Sequence, residues 1–102
     1  MKNFINISDL SSKELRSIIE EAKLRKLNRK KLNKSSPDRD RPFEGKSMAM
    51  IFEKPSTRTR MSFDIAVKQL GGSAITLNPD GIHYGKGDET LKDTAKILTE
   101  YV

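Results

Sequence analysis

Residues 46–77 read KSMAMIFEKPSTRTRMSFDIAVKQLGGSAITL, and the order of patterns in this stretch predicts the fold. Residues 46–52 are short, nearly continuously apolar and flanked by a glycine and a proline, which is typical of a strand buried on both faces of a parallel sheet. A helix over about residues 57–70 follows, with the pair Gly71–Gly72 as its stop signal, and residues 73–77 form the next strand. We therefore expect an α/β unit in which a helix connects two parallel strands by a right-handed crossover.

Two more helices flank this unit. Residues 11–14 fit a capping box, in which the Ser11 hydroxyl accepts from the Glu14 amide, so a helix begins there and carries an apolar stripe of about two to three turns. A further helix begins near residues 88–90. The three stripes that would face a core are Leu15, Ile18, Ile19, Ala22 and Leu27 in the first helix; Met61, Ile65, Ala66 and Leu70 in the second; and Leu91, Ala95, Leu98 and Val102 in the third.

These elements predict one α/β domain with a parallel sheet and flanking helices, of which residues 1–102 form only a part. Residues 1–45 hold the N-terminal helix and a linker, and we interpret segment 33–45 as an exposed connection because charges and prolines interrupt any helix there. Residues 46–102 hold strand, helix, strand, loop and helix. Two parallel strands leave faces and edges uncovered. We expect the front part of a longer protein, or else a small domain that oligomerisation completes.

The composition argues against several classes of protein. With no cysteine and one histidine among 102 residues, neither a thiolate metal site nor a histidine cluster is expected. No run approaches the roughly 20 apolar residues that cross a bilayer, so no membrane contact is expected. The N-terminal residues lack the apolar core of a secretion signal, which favours a cytoplasmic protein.

The net charge of +6 lies at one end of the chain. Residues 1–46 carry 13 Lys and Arg against 7 Asp and Glu, whereas residues 47–102 carry 7 of each. The basic run over residues 25–34 contains no aromatic residue and no groove-binding motif, which favours a solvated helix end over a nucleic-acid surface. We therefore expect no nucleic-acid partner.

Residues 55–60, PSTRTR, carry the strongest chemical signal. They lie where the first strand passes into its helix, and ligand sites in open α/β sheets lie at the carboxyl ends of strands. A helix start offers unpaired amides and the positive end of a dipole. Ser56, Thr57 and Thr59 add hydroxyl donors, and Arg58 adds a planar donor fork. Together these features predict a site for a tetrahedral dianion.

A competing interpretation assigns the same residues to structure alone. In it Ser56 is an N-cap, the threonines are surface residues, and the arginines pair with Glu53 or Asp64. A cap does not explain two cations in the first turn, where the helix dipole disfavours each by about 0.3–1 kcal/mol unless an anion is near. The stretch contains neither a Walker-type phosphate loop nor GxGxxG, so ATP and NAD sites are not expected.

Four motifs resemble the carbamoyl-phosphate domain of the transcarbamylases: FEKPSTRTR (52–60), SFDIA (62–66), QLGG (69–72) and IHYGKGDETLKDTAKIL (82–98). The resemblance runs from the first helix to Val102. Lys54, inserted before the proline, favours the ornithine carbamoyltransferase branch over the aspartate branch. In such enzymes carbamoyl phosphate binds first, the amine of the second substrate attacks its carbonyl carbon, and phosphate leaves; the resemblance implies no cofactor and no metal.

The resemblance also implies roles for single residues. Four of them match the cradle that binds the phosphate of carbamoyl phosphate: Ser56, Thr57, Arg58 and Thr59. Arg58 matches, in addition, the catalytic residue that stabilises charge on the departing phosphate and the bridging oxygen. Arg60 is interpreted as a supporting residue that holds the loop by pairing with an acid such as Glu53 or Glu89.

His83 stands where such enzymes place a Gln or His that reaches into the site of the neighbouring subunit. Without the resemblance, a lone histidine in a polar loop is interpreted as solvent-exposed. The segment GKGDET, residues 85–90, is one residue longer than the form common in the ornithine branch. Aspartate-type enzymes have a comparable length and use a lysine from this loop, so Lys86 is a second candidate for the cross-subunit contact.

The function implied by the resemblance is transfer of a carbamoyl group from carbamoyl phosphate to L-ornithine, giving citrulline and phosphate, in a homotrimer with sites shared between subunits. One alternative is an aspartate carbamoyltransferase or another transcarbamylase, because the part that selects the amine is not among these residues. Another is a non-catalytic module that binds anions or nucleic acid. The 102 residues alone are expected to be inactive, since the family uses downstream residues to polarise the carbonyl and hold the amine.

Overall fold

The computed structural model describes residues 3–52, 54–77 and 91–102. The chain divides into two units, Met1–Leu32 and Asn33–Val102. None of the helices within the described ranges is long and apolar enough to cross a membrane.

The first unit contains a short 3-10 helix, Ile7–Asp9, followed by helix α1, Ser12–Asn28. α1 begins as predicted. The Glu14 amide donates to Ser11 Oγ at 3.1 Å, and the Ser11 amide donates to Glu14 Oε1 at 3.1 Å. This reciprocal pair confirms the capping box, which satisfies two backbone donors at the start of the helix.

α1 is longer than its predicted stripe of two to three turns and reaches 17 residues. Its charged second half is supported by ion pairs at one-turn spacing, such as Arg25 Nε at 3.1 Å from Glu21 Oε1. No α1 residue is buried, and Ile18 is 54% exposed. Within the unit Met1–Leu32, the predicted stripe therefore contains no buried residue.

The second unit contains strand β1, helix α2, strand β2 and helix α3, at Ser47–Ile51, Thr57–Gln69, Ser73–Leu77 and Leu91–Tyr101. β1 and β2 pair in parallel, in a register that runs from Ser47 opposite Ser73 to Ile51 opposite Leu77. Ser47 Oγ and Ser73 Oγ lie 2.9 Å apart at the start of both strands. The α/β class and the parallel pairing are confirmed, and β1, α2 and β2 lie within one residue of their predicted bounds.

Met50 of β1 and Val67 of α2 are the buried apolar side chains among the described residues, at 5% and 3% exposure. β1 is not buried on both faces as predicted, because Ile51 is 37% exposed. The predicted stripe of α2 is also wrong in part, since Met61 is 58% exposed and Ala66 is exposed. α2 lies against β2. Its buried residue, Val67, lies about 100° around the helix from Ala66.

α3 buries a residue that was not in its predicted apolar stripe. Thr94 is 4% exposed, whereas the predicted stripe residues Ala95 and Val102 are exposed. Leu98 is half-buried, in line with its place in the stripe. The predicted start of this helix, at residues 88–90, lies outside the described residues.

The segment 33–45 is mostly exposed, as predicted, and it also makes contacts that the sequence did not indicate. Asp38 is buried, and its amide donates to the carbonyl oxygen of Gln69 at 2.7 Å. The Phe43 amide donates to the carbonyl oxygen of Leu70 at 2.8 Å. The segment therefore binds to the C-terminal end of α2, because its amides satisfy carbonyls that a helix end leaves without partners.

We expect Met50→Ala to lower the free energy of unfolding by about 2–5 kcal/mol, because it removes a buried side chain and leaves a cavity. Met61→Ala is the matched control, and its exposed side chain predicts a change within about 0.5 kcal/mol. Urea unfolding of both variants measures the difference. A loss for Met61→Ala equal to that of Met50→Ala would mean that α2 buries the side on which Met61 lies.

Candidate anion-binding site

The candidate site lies between the end of β1 and the start of α2. Ile51 lies opposite Leu77 in the parallel register, so both strands end at the same edge of the sheet. β1 leads through residues 52–55 to Ser56, which immediately precedes the first turn of α2. This is the edge at which open α/β sheets bind ligands.

Ser56 occupies the N-cap position without acting as a cap. Its backbone has φ −146° and ψ 83°, and its side chain makes no capping hydrogen bond. At the corresponding position of α1, the Ser11 hydroxyl accepts from the Glu14 amide. The structural interpretation of Ser56 as merely an N-cap is therefore wrong, and its half-buried hydroxyl is not engaged by the helix.

The first turn of α2 presents backbone donors. The Arg60 amide makes the first helical bond, to the carbonyl oxygen of Ser56 at 3.0 Å. The amides before it, those of Thr57, Arg58 and Thr59, have no hydrogen-bond acceptor among the described residues. Three neighbouring N–H groups at a helix start form a concentrated set of donors for an anion.

The charges at this helix start are the reverse of the usual arrangement. α1 has Glu14 in its first turn, whereas the first turn of α2 contains no acid and includes Arg58. Neither Arg58 nor Arg60 forms an ion pair within residues 3–52, 54–77 and 91–102. Asp64 pairs with Lys68, with Oδ1 and Nζ 3.4 Å apart, so the suggested pairing of an arginine with Asp64 is wrong.

This arrangement can hold a tetrahedral oxyanion. Backbone amides and the helix dipole attract negative charge, and short hydroxyls at Ser56, Thr57 and Thr59 bring further donors without bulk. Arg58 is exposed, so its guanidinium can approach a ligand from solution. The described residues contain no group of three or more acidic or histidine side chains that could hold a metal ion.

The structure brings together the four residues predicted to form the cradle, at consecutive positions 56–59. Arg60 follows them in the same turn. His83 and Lys86 lie outside the described residues, as do the acids Glu53 and Glu89 that were suggested as partners of Arg60. Those assignments stay predictions.

Contacts at the far end of α2 were missed by the sequence reasoning, which interpreted Gly71–Gly72 only as a stop signal. The Gly71 amide donates to the carbonyl oxygen of Lys68 and the Gly72 amide to that of Val67, at 3.0 and 2.9 Å. This is the Schellman arrangement, which requires a left-handed residue only at Gly71. The second glycine was the available signal that another segment lies close to the backbone there.

Comparison with known proteins gives matches over nearly the whole chain. The family model described as "Aspartate/ornithine carbamoyltransferase, carbamoyl-P binding domain" matches residues 2–102. The ornithine carbamoyltransferase of Brucella ovis is 48% identical over 102 residues, which are 100% of this chain and 31% of that protein. That of Rhizorhabdus wittichii is 46% identical over 101 residues, 99% of this chain and 32% of that protein.

A solved structure shares the fold as well. The ornithine carbamoyltransferase from Pyrococcus furiosus superposes with a TM-score of 0.81 at 43% identity, covering 95% of this chain and 29% of that chain. This chain therefore spans about a third of the length of the relatives that it matches.

We expect Ser56→Ala to change the free energy of unfolding by less than about 0.5 kcal/mol, because the Ser56 hydroxyl makes no capping bond. Ser11→Ala is the matched comparison and should cost about 1 kcal/mol, since it removes a cap that is present. Urea unfolding of the two variants tests this contrast. Equal losses would mean that Ser56 also caps its helix.

Proposed function

This chain belongs to the aspartate and ornithine carbamoyltransferase family, and from that membership we propose that it binds carbamoyl phosphate at the start of α2. We further propose that it forms part of an enzyme that transfers the carbamoyl group to L-ornithine, giving citrulline and phosphate. The start of α2 carries the proposal. The amides of its first turn have no acceptors among the described residues. Beside them, the Ser56 side chain does not cap the helix, and Arg58 forms no ion pair with the described residues.

In the proposed complex the phosphate group of carbamoyl phosphate occupies the helix start. Its oxygens accept hydrogen bonds from the amides of Thr57–Thr59 and from the hydroxyl of Ser56, which the described fold leaves available. The threonine hydroxyls add hydrogen-bond donors, and the Arg58 guanidinium adds two parallel charged N–H donors. A doubly negative phosphate also removes the unfavourable interaction of the arginines with the helix dipole.

The proposed reaction is an acyl transfer. The unprotonated side-chain amine of ornithine attacks the carbonyl carbon, a C–N bond forms, and the nitrogen loses a proton. The bond from that carbon to the bridging oxygen breaks, and phosphate leaves with the electron pair and takes up the proton that the nitrogen loses. Negative charge grows on the bridging oxygen, so an arginine already beside the phosphate binds the transition state more strongly than the substrate. This is the catalytic role that we assign to Arg58.

Contacts from the segment after β2 complete the proposed site. We propose that His83, with Lys86 as the alternative, binds the phosphate in a neighbouring subunit of a homotrimer, and that Arg60 holds the loop. The proposed enzyme acts in the cytoplasm.

L-Ornithine is the preferred amine because the relatives compared above are named ornithine carbamoyltransferases and because Lys54 precedes the PSTRTR motif as in that branch. Aspartate is the alternative amine. The matched region is the carbamoyl-phosphate domain, so the choice of amine is tested in a longer protein.

The activity can be tested in a chimera in which these 102 residues replace the matched 31% of the Brucella ovis enzyme. We expect the chimera to form citrulline from carbamoyl phosphate and ornithine, and to form no carbamoyl-aspartate. Arg58→Ala should lower turnover by at least about a hundredfold, because it removes a group that stabilises developing charge. Arg16→Ala, an exposed arginine on α1, is the matched control and should leave turnover unchanged. Near-normal turnover in Arg58→Ala would remove that residue from the mechanism.

The 102-residue chain alone is expected to bind carbamoyl phosphate and to form no citrulline. Calorimetry with carbamoyl phosphate, inorganic phosphate and duplex DNA tests the binding, and a citrulline assay tests the absence of turnover. Citrulline synthesis by the purified chain would contradict the expectation. DNA affinity with a steep salt dependence, together with no response to carbamoyl phosphate, would favour a nucleic-acid-binding module instead.

A further inference from the structure

The two ends of α2 are held differently. Every residue from Thr57 to Phe63 is exposed, whereas Val67 is buried and both Gln69 and Leu70 are half-buried. In the described structure the helix therefore packs through its C-terminal half. The candidate anion site lies at the end that is not packed.

Residues 34–43 bind the packed end of the helix. The amides of Asp38 and Phe43 donate to the carbonyl oxygens of Gln69 and Leu70, at 2.7 and 2.8 Å. Gln69 Nε2 donates to the carbonyl oxygen of Lys34 at 2.8 Å. We call this set of three hydrogen bonds, with the packing of residues 41–43 on the glycines that follow, the clamp.

Gly71 and Gly72 allow the clamp to approach the backbone. A Cβ on Gly71 would lie 2.8 Å from Arg41 Cβ, and a Cβ on Gly72 would lie 3.0 Å from Phe43 Cβ and 3.1 Å from the carbonyl oxygen of Lys46. Gly71 also has φ +89°, which the helix cap requires in any case. Gly72 has no such backbone requirement, so the close approach is the reason for a glycine at that position.

Arg41 indicates that the clamp is firmly held. Its φ is +42°, a left-handed conformation that is unfavourable for a residue with a side chain. Its amide donates to the carbonyl oxygen of Asp38 at 3.2 Å, and its own carbonyl oxygen accepts from the Glu44 amide at 3.0 Å. Such a conformation persists only where the surrounding structure enforces it.

We propose that the clamp positions the anion site: by fixing the C-terminal end of α2, it determines where the amides of Thr57–Thr59 lie, and Gly72 is its positioning residue. The helix has 13 residues and is about 20 Å long, and its hydrogen bonds connect each turn to the next, so a displacement at one end moves the other. The identity of the anion rests on the proposed function.

A site built from backbone donors depends on such positioning. Amides cannot adjust to a ligand by changing rotamer, so their placement follows the placement of the helix. In an active site, a misplacement of about 1 Å can lower the reaction rate on the order of a hundredfold. A methyl group at Gly72 forces Phe43 or the helix end to shift by a few tenths of an ångström, which predicts a smaller loss, of roughly tenfold.

The test compares Gly72→Ala with Ala66→Gly in the whole chain. Ala66 is exposed on the same helix, and glycine there weakens the helix without touching the clamp. Amide signals of isotope-labelled protein are recorded by NMR without ligand, then during titration with inorganic phosphate and with carbamoyl phosphate. Unfolding midpoints are measured alongside, so that a general loss of stability is separated from a displacement of the helix.

For Gly72→Ala we expect the free-state signals of Thr57–Thr59 to move and the affinity for phosphate to fall by roughly tenfold. Ala66→Gly should lower the unfolding midpoint and keep the affinity within about twofold of the original chain. Unchanged signals and affinity in Gly72→Ala would overturn the proposal. So would an equal loss of affinity in Ala66→Gly, which would trace the effect to stability.

If Gly72→Ala does not fold, Gln69→Ala carries the test, because it removes only the side-chain bond to Lys34. The signals of Thr57–Thr59 should then move in the same way, and their constancy would overturn the proposal. If the original chain binds neither inorganic phosphate nor carbamoyl phosphate, the proposed function is wrong instead. The ligand-free signals would still decide whether the clamp positions the helix start.

Discussion

The amides of Thr57, Arg58 and Thr59 have no acceptors among the described residues, and they form the constraint on which the candidate site depends. At the start of α1, side chains of the chain itself accept hydrogen bonds from the amides: the Ser11 hydroxyl accepts from the Glu14 amide, and the Glu14 carboxylate accepts from the Ser11 amide. α2 has a serine that does not cap, and its first turn contains Arg58 but no acid, whereas Glu14 accompanies Lys13 in the first turn of α1. Such a helix start favours an anion from solution, because both the donors and the dipole attract negative charge there.

Parallel pairing places this helix start at an edge where a second segment also leaves the sheet. Ile51 and Leu77 end their strands side by side, so the residues that follow each strand begin at one edge. This is the edge at which open parallel sheets bind ligands.

The described residues bury little apolar surface for a chain of 102 residues. Met50 and Val67 are buried, whereas Phe63 and Ile75 remain 52% and 45% exposed. Burial of apolar surface contributes about 25 cal/mol per Å², and a small core gives a marginal domain. Helix α2 is accordingly held by hydrogen bonds to its end as well as by packing, which gives residues 34–43 a larger structural role than a connection usually has.

Sequence patterns alone predicted the α/β class, the parallel strands, the bounds of α2 to within one residue and the capping box of α1. The resemblance of four motifs predicted the family, which the comparisons confirm, whereas the site segment 56–59 stays a prediction. These features depend on residues close together in the chain, whose periodicity and caps are read directly from residue order.

Three features were decided only by the tertiary structure: the buried side of α2, the absence of a capping hydrogen bond from the Ser56 hydroxyl, and the clamp. Val67 is the buried residue of α2, and the predicted stripe of apolar residues did not include it. The clamp joins Gln69 to Lys34, 35 residues away in the chain. Contacts over such separations depend on how the elements are placed in space, and local periodicity carries no information about that placement.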